Sequence, residues 1–523
     1  MLVRSQYPDV VVPDVTLYDF LFASLDADDL ARVAVVDGPS GATTTYGELR
    51  AQVDAVAGAF AARGVRPGDV VALHSPNVPA FVPVFHGLMR VGATVTTVNA
   101  LSTGEEIARQ LRASGARTLV TVPPLLAAAT AGASAAGVGD VVVLDGAEGY
   151  PALADLLAAG SPPPEVSLDP ATHLAVLPYS SGTVGLPKGV MLTHRNLVAN
   201  VLQSLPLIEA NAADVIPAVL PFFHIYGMTV LLNMALHVRA RLVTLPRFDL
   251  AQYLEVCERE RATYLFVAPP MMLALAKHPL VGSHDLSSVR VVLSGAAPLD
   301  GSLADAVATR LGARVVQGYG MSEMSPVSHV VPVGRPDISS GSIGLLIPNM
   351  VARVVDPATG EESTEGELLC RGPNVMVGYL GDDGATRDTI DDEGFLHTGD
   401  IVSVDARGVF TVVDRLKELI KYKGYQVAPA ELEALLLRNP QIADAAVIGL
   451  PDAEAGEVPK AYVVPAPGAT SLTEDSVAAY VAARVAPYKK VRAVEIVESV
   501  PKSSSGKILR KELRAREAAR RLL

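Results

Sequence analysis

The segment YSSGTVGLPKGV, residues 179–190, combines hydroxyl side chains, three glycines and one lysine. Glycine lets the backbone approach a ligand closely, and amides exposed in such a turn bind anions. Ser180, Ser181 and Thr183 add hydroxyl donors, and Lys188 adds a mobile positive charge. The segment therefore predicts a loop that holds phosphate groups, called the phosphate loop below. The competing interpretation is a flexible surface turn.

The phosphate loop differs from the P-loop of nucleotide hydrolases. That motif requires a lysine between glycine and serine or threonine, whereas Lys188 follows a proline and precedes a glycine. An apolar run at 174–179 predicts a buried strand before the loop. The spacing of apolar residues over 190–202 predicts a helix after it, with Thr193 as the N-cap.

The alternation of helical and strand-like runs over 14–140 predicts an α/β layered subdomain with much parallel sheet, and the same rhythm over 174–335 predicts a second one. Within the second subdomain, three strands run into glycine- or proline-rich turns: 262–270, 289–299 and 313–323. Because ligands of such sheets bind beyond the carboxyl ends of the strands, we expect these turns and the phosphate loop to wall one crevice.

The last third of the chain has a different pattern. Short β-runs with glycine and aspartate between them predict a small β-barrel-like subdomain from about 341 to 413. Charge density then rises over 414–433, and a new helix–strand alternation follows. The sequence thus predicts an α/β protein with a large N-terminal domain, 1–414, and a small α+β C-terminal domain, 415–523.

Composition narrows the class of protein. A chain of 523 residues is too long for one simple core, and its net charge of −13 disfavours nucleic-acid binding. Cys257 and Cys370 are far apart in sequence, which implies no disulfide framework and suits a reducing compartment. The N-terminus lacks the apolar core of a secretory signal, and the C-terminal RRLL is not the peroxisomal tripeptide. We therefore expect a cytoplasmic protein.

Residues 215–238 contain no Asp, Glu, Lys or Arg and are long enough to span a bilayer. Pro217, Pro221 and Gly227 interrupt this run. We therefore predict a buried strand, a turn and a helix rather than a membrane span.

Four further motifs follow the phosphate loop in a fixed order: PFFHIYG (221–227), QGYGMSE (317–323), HTGD (397–400) and PKSSSGKILRKELR (501–514). Each is a weak signal alone. Together they resemble the motifs of the adenylate-forming superfamily of acyl-CoA ligases, luciferases and adenylation domains. The resemblance covers nearly the whole chain and is closest to 4-coumarate:CoA ligases, which share GELLCRG (366–372) and YKGYQVAPAELE (422–433).

The resemblance implies an ATP-dependent carboxylic acid:CoA ligase. In such enzymes the acid reacts with ATP to give acyl-AMP and pyrophosphate, and CoA then displaces AMP to form a thioester. The first step brings a carboxylate onto the α-phosphate, so catalysis consists mainly of positioning and positive charge.

The resemblance also implies roles for individual residues. Lys507 would bridge the carboxylate and the α-phosphate, Tyr319 would face adenine, and Asp400 would bind the ribose. Glu323 would bind Mg²⁺, a hard cation that prefers oxygen ligands. The implied ATP and AMP site consists of Ser180, Ser181, Gly182, Thr183, Val184, Lys188, Ala296, Gln317, Gly318, Tyr319, Ser322, Asp400, Arg415, Lys417, Lys421 and Lys507. Val184 stands where the loop of the superfamily usually has a second threonine, and a lost hydroxyl–phosphate bond would cost about 1.5–3 kcal/mol.

In the superfamily the C-terminal domain is mobile and rotates between the two half-reactions, with a hinge at the position of Lys417. After rotation Lys421 would reach the site as a catalytic residue. The implied CoA-binding residues are Arg247, Lys423 and Gly424, and His224 would act catalytically at the entrance of the acyl pocket.

The implied acyl pocket consists of Ile225, Tyr226, Val230, Ala296, Gly318, Gly320, Pro326 and Val327. Glycines beside flat or branched walls suit a planar aryl-propenoate. Met324 and Ser325 replace the Ala-Gly pair of plant coumarate ligases, and Val230 replaces a hydroxyl-bearing residue. Cinnamate and a medium- or long-chain fatty acid therefore remain alternatives.

Three other functions share these motifs. An adenylating enzyme would pass its product to a carrier protein, a luciferase-like oxygenase would emit light, and a degenerate protein would only sense acyl-adenylate. Lys507, Glu323 and Asp400 oppose the sensor, whereas Val184 favours it. We expect small-molecule partners only (the acid, ATP and CoA), no nucleic acid and no membrane span, and either a monomer or a homodimer.

Overall fold

The computed structural model describes residues 1–180, 187–416, 418–423, 425–452, 455–469, 471–503 and 506–521, without the side chains of 425, 426 and 521. Several residues to which the resemblance assigns roles lie outside the described residues: Ser181, Gly182, Thr183, Val184, Lys417 and Gly424.

The first part of the chain alternates strands and helices, as predicted. Its elements are β1 (Leu2–Arg4), α1 (Leu17–Phe22), α2 (Ala27–Ala31), β2 (Val33–Asp37), β3 (Thr43–Thr45), α3 (Tyr46–Ala62), β4 (Val70–His74), α4 (Phe81–Arg90), β5 (Thr94–Val98), α5 (Gly104–Ser114), β6 (Thr118–Thr121), α6 (Leu126–Ala136), β7 (Asp140–Val143) and α7 (Leu153–Ala158). Helix α3 begins with a capping box between Thr45 and Glu48, which satisfies backbone donors at its first turn.

The second part repeats the alternation. Its elements are β8 (Leu174–Val176), β9 (Tyr179–Ser180), β10 (Lys188–Thr193), α8 (His194–Ile208), β11 (Val215–Ala218), a π-helix (Tyr226–Asn233), α9 (Met234–His237), β12 (Arg241–Thr244), α10 (Leu250–Arg259), β13 (Tyr264–Val267), α11 (Pro269–Lys277), β14 (Val291–Ser294), α12 (Gly301–Leu311), β15 (Arg314–Gly320), β16 (Val327–Val330) and β17 (Leu345–Leu346). The strand, turn and helix predicted within 215–238 are confirmed, although the helix starts as a π-helix.

The helix predicted over 190–202 starts later than expected. Thr193 is its N-cap, as predicted, but residues 188–193 form strand β10, which pairs antiparallel with β8. Val190 and Leu192 are both fully buried. Their alternate spacing is the pattern of a strand, but it also fitted the helical spacing from which the helix was predicted.

The rest of the chain consists of β18 (Val351–Val355), β19 (Glu365–Arg371), β20 (Gly378–Tyr379), α13 (Asp383–Thr389), β21 (Leu396–Val404), β22 (Phe410–Arg415), β23 (Ile420–Tyr422), β24 (Tyr425–Val427), α14 (Pro429–Leu437), β25 (Ile442–Asp452), β26 (Gly456–Pro465), α15 (Glu474–Ala482), β27 (Ala493–Ile496) and α16 (Arg510–Arg521). Short 3-10 helices occur at Pro123–Leu125, Pro279–Ser283, Ser322–Met324 and Pro487–Lys489.

Two largely parallel sheet systems form the bulk of the N-terminal domain. One sheet has the order β20-β10-β8-β5-β4-β6-β7, with β9 beside β10. The second system contains β11-β12-β2-β3 and β13-β14-β15-β16-β17, and a hydrogen bond of 3.0 Å from the Thr263 amide to the Val215 carbonyl joins the two groups. Strands from both halves of the chain enter each system, because parallel pairing joins segments that are distant in sequence.

Strands β18, β19, β21 and β22 form an antiparallel sheet of order β1-β18-β19-β21-β22, in which β1, the first strand of the chain, is an edge strand. The C-terminal domain has a separate sheet of order β24-β23-β26-β25, with β27 parallel to β26. Its apolar core, which runs from Ile420 to Val491, is distinct from the large core of the N-terminal domain. The α/β class with a large and a small domain is therefore as predicted.

In the described parts of the chain, no helix combines the length and apolar character that a membrane crossing needs. Cys257 and Cys370 are both buried free thiols.

Candidate active site

The carboxyl ends of β13, β14 and β15 lie at one edge of their parallel sheet. Val267 is paired with Ser294, and Ser294 is paired with Gln317. The three predicted turns therefore begin side by side, as we expected. The part of the phosphate loop that would complete this crevice lies outside the described residues.

The turn after β14 is shaped by close approaches. A Cβ atom added to Gly295 would lie 2.9 Å from Cε1 of Tyr226, and Ala296 has a left-handed backbone with φ of +72°. The Tyr226 hydroxyl donates a hydrogen bond of 3.2 Å to the Leu293 carbonyl. The tyrosine ring thus lies directly over the backbone of this turn, and only a glycine leaves room for it.

The Gln317 side chain bonds two backbone segments near the turn after β14. Its Oε1 accepts a bond of 2.8 Å from the Leu299 amide, and its Nε2 donates one of 2.8 Å to the Ser342 carbonyl. The side chain is therefore committed to the backbone around the turn, and it positions that turn.

Tyr319, Asp400 and Arg415 form a connected group. The Tyr319 hydroxyl donates a bond of 2.6 Å to Oδ2 of Asp400, and Nε of Arg415 lies 3.0 Å from Oδ1. Asp400 and Arg415 are direct partners of the β21–β22 ladder, so the strand register creates the ion pair. Burial and the Asp400 charge raise the pKa of Tyr319 well above its usual value, so the phenol remains a donor.

Glu323 lies in the short 3-10 helix after β15 and is almost fully buried. Its Oε1 accepts a hydrogen bond of 2.9 Å from the hydroxyl of Tyr379. Lys188, at the start of β10, has its Nζ 5.0 Å above the ring of the same tyrosine and 3.5 Å from Oδ2 of Asp382. One tyrosine therefore contacts both the carboxylate and the loop lysine that the sequence singled out.

Lys507 is supplied by the C-terminal domain. The loop that carries it is closed by a 2.8 Å bond from the Ser503 amide to the Lys507 carbonyl, and a Cβ on Gly506 would lie 2.9 Å from Cδ of Pro270. Burial, followed by the Arg415 charge, lowers the pKa of Lys507 to about 8, while Asp400 and Glu323 oppose this shift. The lysine thus interacts electrostatically with Arg415 at the end of β22, Asp400 within β21 and Glu323 in the 3-10 helix after β15.

His224 lies near the same ammonium group. Burial, with a smaller contribution from the Lys507 charge, lowers the pKa of His224 to about 4. The imidazole is therefore neutral at physiological pH and can act as a hydrogen-bonding wall, not as a cation.

The implied acyl-pocket residues belong to the π-helix, the turn after β14 and the β15–β16 region. Ile225, Tyr226 and Val230 belong to the π-helix or its N-cap and are buried, and Val327 is buried in β16. Gly320 ends β15, where a Cβ would lie 2.0 Å from the Pro326 carbonyl oxygen, so the backbone requires glycine there. Gly318 is paired with Val330 in the same ladder.

Other implied site residues lie on the surface. Arg247 is exposed after β12, and Lys421 and Lys423 are exposed on the β23 hairpin.

Ser180 ends β9 beside Lys188, its partner in the β9–β10 ladder. Ser322 begins the 3-10 helix that carries Glu323.

Sequence reasoning missed Gly295, Tyr379 and Asp382. Gly295 is one residue from the implied Ala296, and only the proximity of the Tyr226 ring distinguishes it. Tyr379 and Asp382 come from a segment distant in sequence, where β20 pairs with β10. No local pattern signals that pairing, because β20 has only two residues.

A metal ion would have to share its ligands with a substrate. Among the described residues, no group of three or more His, Cys, Asp or Glu side chains could hold a metal by itself. Glu323 supplies one buried carboxylate, and Mg²⁺ in phosphate-binding sites is commonly held by one or two carboxylates, substrate oxygens and water. The residues present therefore fit Mg²⁺ that arrives with a nucleotide.

The fold and this cluster define a family. Residues 25–380 match the model of the AMP-binding enzyme family, and residues 431–507 match that of the AMP-binding enzyme C-terminal domain. The chain therefore belongs to the AMP-binding, adenylate-forming enzymes.

Similar proteins make the assignment more specific. The chain is 43% identical to 4-coumarate–CoA ligase 5 of Oryza sativa subsp. japonica and 42% identical to 4-coumarate–CoA ligase 2 of Solanum tuberosum, in each case over 99% of this chain and 97% of the relative. Among solved structures, the anthranilate CoA ligase AuaEII in complex with anthranoyl-AMP is 26% identical with a TM-score of 0.90, over 98% of this chain and 99% of that one. ATP-bound MatB from Rhodopseudomonas palustris is 30% identical with a TM-score of 0.88, over 96% and 99%.

Proposed function

We propose that this protein is an ATP-dependent carboxylic acid:CoA ligase that works through an acyl-AMP intermediate. The observation that carries the proposal is the electrostatic interaction of Lys507, in the C-terminal domain, with Asp400 and Glu323 of the N-terminal domain and with Arg415 at the boundary between the two domains. The similarity over nearly the full length to 4-coumarate–CoA ligases supports the same function.

In the first half-reaction a carboxylate oxygen attacks the α-phosphorus of ATP, and the bond from that phosphorus to the bridging oxygen of pyrophosphate breaks. Two anions must meet, so a positioned cation lowers the barrier. Lys507 fills this role between the two groups. Asp400 accepts the ribose hydroxyls, and Tyr319 presents its ring to adenine.

The phosphate loop would hold the β- and γ-phosphates through Ser180, Lys188 and its remaining hydroxyls and amides. Glu323 would hold the Mg²⁺ that accompanies ATP. When bound, this ion would neutralise phosphate charge and support the departure of pyrophosphate.

In the second half-reaction the CoA sulfur attacks the acyl carbon, the carbon–oxygen bond to AMP breaks, and the thiol proton passes to solvent. Lys507 and the thiol need the same face of the acyl-AMP, so the C-terminal domain (415–523) rotates about a hinge near Lys417 relative to the N-terminal domain (1–414). Lys421, Lys423 and Gly424 then face the site, and Arg247 contacts a CoA phosphate.

We propose an aromatic propenoate, 4-coumarate or cinnamate, as the acid. The relatives are 4-coumarate–CoA ligases. The flat Tyr226 ring over Gly295, and the glycine that the backbone requires at Gly320, suit a thin, planar ligand. Val230 offers no hydroxyl, which favours cinnamate over its 4-hydroxylated form.

A panel of carboxylic acids tests the proposal. Purified protein with ATP and Mg²⁺ is given cinnamate, 4-coumarate, benzoate and octanoate, and pyrophosphate release is measured with and without CoA. We expect the largest kcat/KM with an aryl-propenoate and thioester formation only when CoA is present. Failure to form AMP with any acid contradicts the ligase, whereas a preference for octanoate contradicts only the proposed substrate class.

A further inference from the structure

The segment after β19 contacts the strand that carries the loop lysine. Val190 is paired with Tyr379 and Met191 with Gly378, and the Leu380 amide donates a bond of 2.9 Å to the Gly189 carbonyl. Tyr379 is therefore fixed by backbone bonds on both sides, next to Lys188.

The same segment holds the residue implied as the metal ligand. The Met376 amide donates a bond of 2.9 Å to the Glu323 carbonyl, and the Tyr379 hydroxyl donates one of 2.9 Å to Oε1 of Glu323. This bond fixes the orientation of the carboxylate plane.

The opposite side of the tyrosine contacts the loop lysine. Nζ of Lys188 lies 5.0 Å from the ring centroid, within the range of a cation–π interaction, and 3.5 Å from Oδ2 of Asp382. Both Lys188 and Asp382 are more than one-third exposed, so their ion pair is weak and phosphate can replace it.

We propose that Tyr379 is a positioning residue that links Glu323 to Lys188, so that Mg²⁺ and the terminal phosphates of ATP are bound as one unit. The inference rests on the proposed function, because it assigns both partners to the ATP site. The hydroxyl acts on the metal side, through Glu323. The ring acts on the phosphate side, by placing Lys188.

Tyr379→Phe separates these two actions, since it keeps the ring and removes only the hydroxyl. Tyr18→Phe is the matched control, because Tyr18 also donates to a carboxylate, Oδ1 of Asp54, at 2.7 Å. Binding of ATP is measured by calorimetry over a range of Mg²⁺ concentrations and in the presence of EDTA. Both half-reactions are then assayed, the second with supplied acyl-AMP.

For Tyr379→Phe we expect about a 10- to 150-fold increase in the Mg²⁺ concentration needed for half-maximal ATP binding, the range for a lost bond to a charged group. ATP binding in EDTA and the conversion of supplied acyl-AMP stay unchanged. Tyr18→Phe leaves all three unchanged. In a Glu323→Gln background, Tyr379→Phe has no further effect on the Mg²⁺ dependence, because the carboxylate it orients is gone.

An unchanged Mg²⁺ dependence in Tyr379→Phe overturns the proposal. So does an equal loss in both half-reactions, which is the result of a purely structural role. If Tyr379→Phe does not fold, Glu323→Gln is measured instead. A normal Mg²⁺ dependence of ATP binding in Glu323→Gln also overturns the proposal, because the carboxylate that Tyr379 orients would then have no role in binding Mg²⁺. Absence of ATP binding or turnover in the unmodified protein is a distinct result, and it refutes the proposed function itself.

Discussion

Two lysines face the candidate phosphate site from different domains, and their surroundings differ. Lys188 belongs to strand β10 of the N-terminal domain, has 38% of its side chain exposed, and lies between the Tyr379 ring and Asp382. Lys507 belongs to a loop of the C-terminal domain and is buried, with its pKa lowered to about 8. Lys188 thus has an aromatic ring and an exposed carboxylate beside it, whereas burial and the Arg415 charge disfavour the charged form of Lys507.

The difference teaches how one site can serve two reactions. A cation that stays in place can hold phosphates but cannot leave to admit a thiol. A buried cation on a separate domain would gain two further anionic partners when the acid and the α-phosphate bind. We therefore expect loss of Lys507 to affect one half-reaction and loss of Lys188 to affect mainly the binding of ATP.

The largest expected effect is that of Lys507→Ala on adenylation. Removing a charge positioned at the transition state typically costs a factor of about 10²–10³, and we expect at least this loss in the rate of pyrophosphate release. Conversion of supplied acyl-AMP to thioester should remain close to that of the unmodified protein. Lys188→Ala is the matched control, for which we expect mainly a higher KM for ATP. Equal loss of both half-reactions in Lys507→Ala would refute the division of labour.

The pH dependence gives the next largest effect. Lys507 must be protonated to bridge two anions, and its pKa is lowered to about 8, so the active form is lost as pH rises through about 8. We expect kcat/KM for ATP in adenylation to fall by up to tenfold per pH unit above this value. The profile of kcat should break at higher pH, because bound anions favour the charged lysine. A flat kcat/KM profile up to pH 9.5 would contradict the lowered pKa.

The sequence predicted those features that local pattern encodes. The Thr193 cap of α8 and the strand–turn segments around Gln317 follow from spacing and turn residues. The short β-strands between about 341 and 413 were also predicted, although their antiparallel order was not. The exchange of strands between the two sheet systems could not be predicted, because pairing between distant parallel strands leaves no mark in either segment.

The candidate site shows the same limit. Asp400, Glu323 and Lys507 were found through motifs, but their proximity depends on how two domains meet. Tyr379 was missed because its importance arises from a two-strand pairing across almost two hundred residues of chain. Gly295 was missed because its constraint is the Tyr226 ring, which comes from another helix. Motifs identify chemical groups, and tertiary contacts determine which neighbours orient them.

Val184→Thr tests the comparison of the two lysines through the phosphate loop, which contains Lys188. A threonine hydroxyl in the phosphate loop would add a hydrogen bond to the phosphates that we propose Lys188 to bind. We expect a KM for ATP that is several-fold lower, with an unchanged rate of thioester formation from supplied acyl-AMP. Val184→Ala serves as the control for side-chain size. If the KM for ATP in Val184→Thr equals that of the unmodified protein, another group already satisfies the phosphate.

The smallest expected effect concerns how Lys507 is delivered. Arg438, at the end of α14 in the C-terminal domain, lies 3.1 Å from Oδ2 of Asp300, the N-cap of α12 in the N-terminal domain. The guanidinium is 59% exposed, so the ion pair is worth about 0–1 kcal/mol, which corresponds to at most about a fivefold shift between domain orientations. Because Asp300 also caps α12, Arg438 is the better residue to change.

Arg438→Ala should therefore lower the adenylation rate by about two- to fivefold and leave thioester formation from supplied acyl-AMP equal or slightly faster. Arg484→Ala is a matched control, because the Arg484 guanidinium donates to the Tyr480 carbonyl within its own domain. The ratio of the two half-reaction rates is the informative quantity, since a general loss of stability lowers both. An unchanged ratio would mean that the contacts around Gly506 and Pro270 suffice to bring Lys507 to the site.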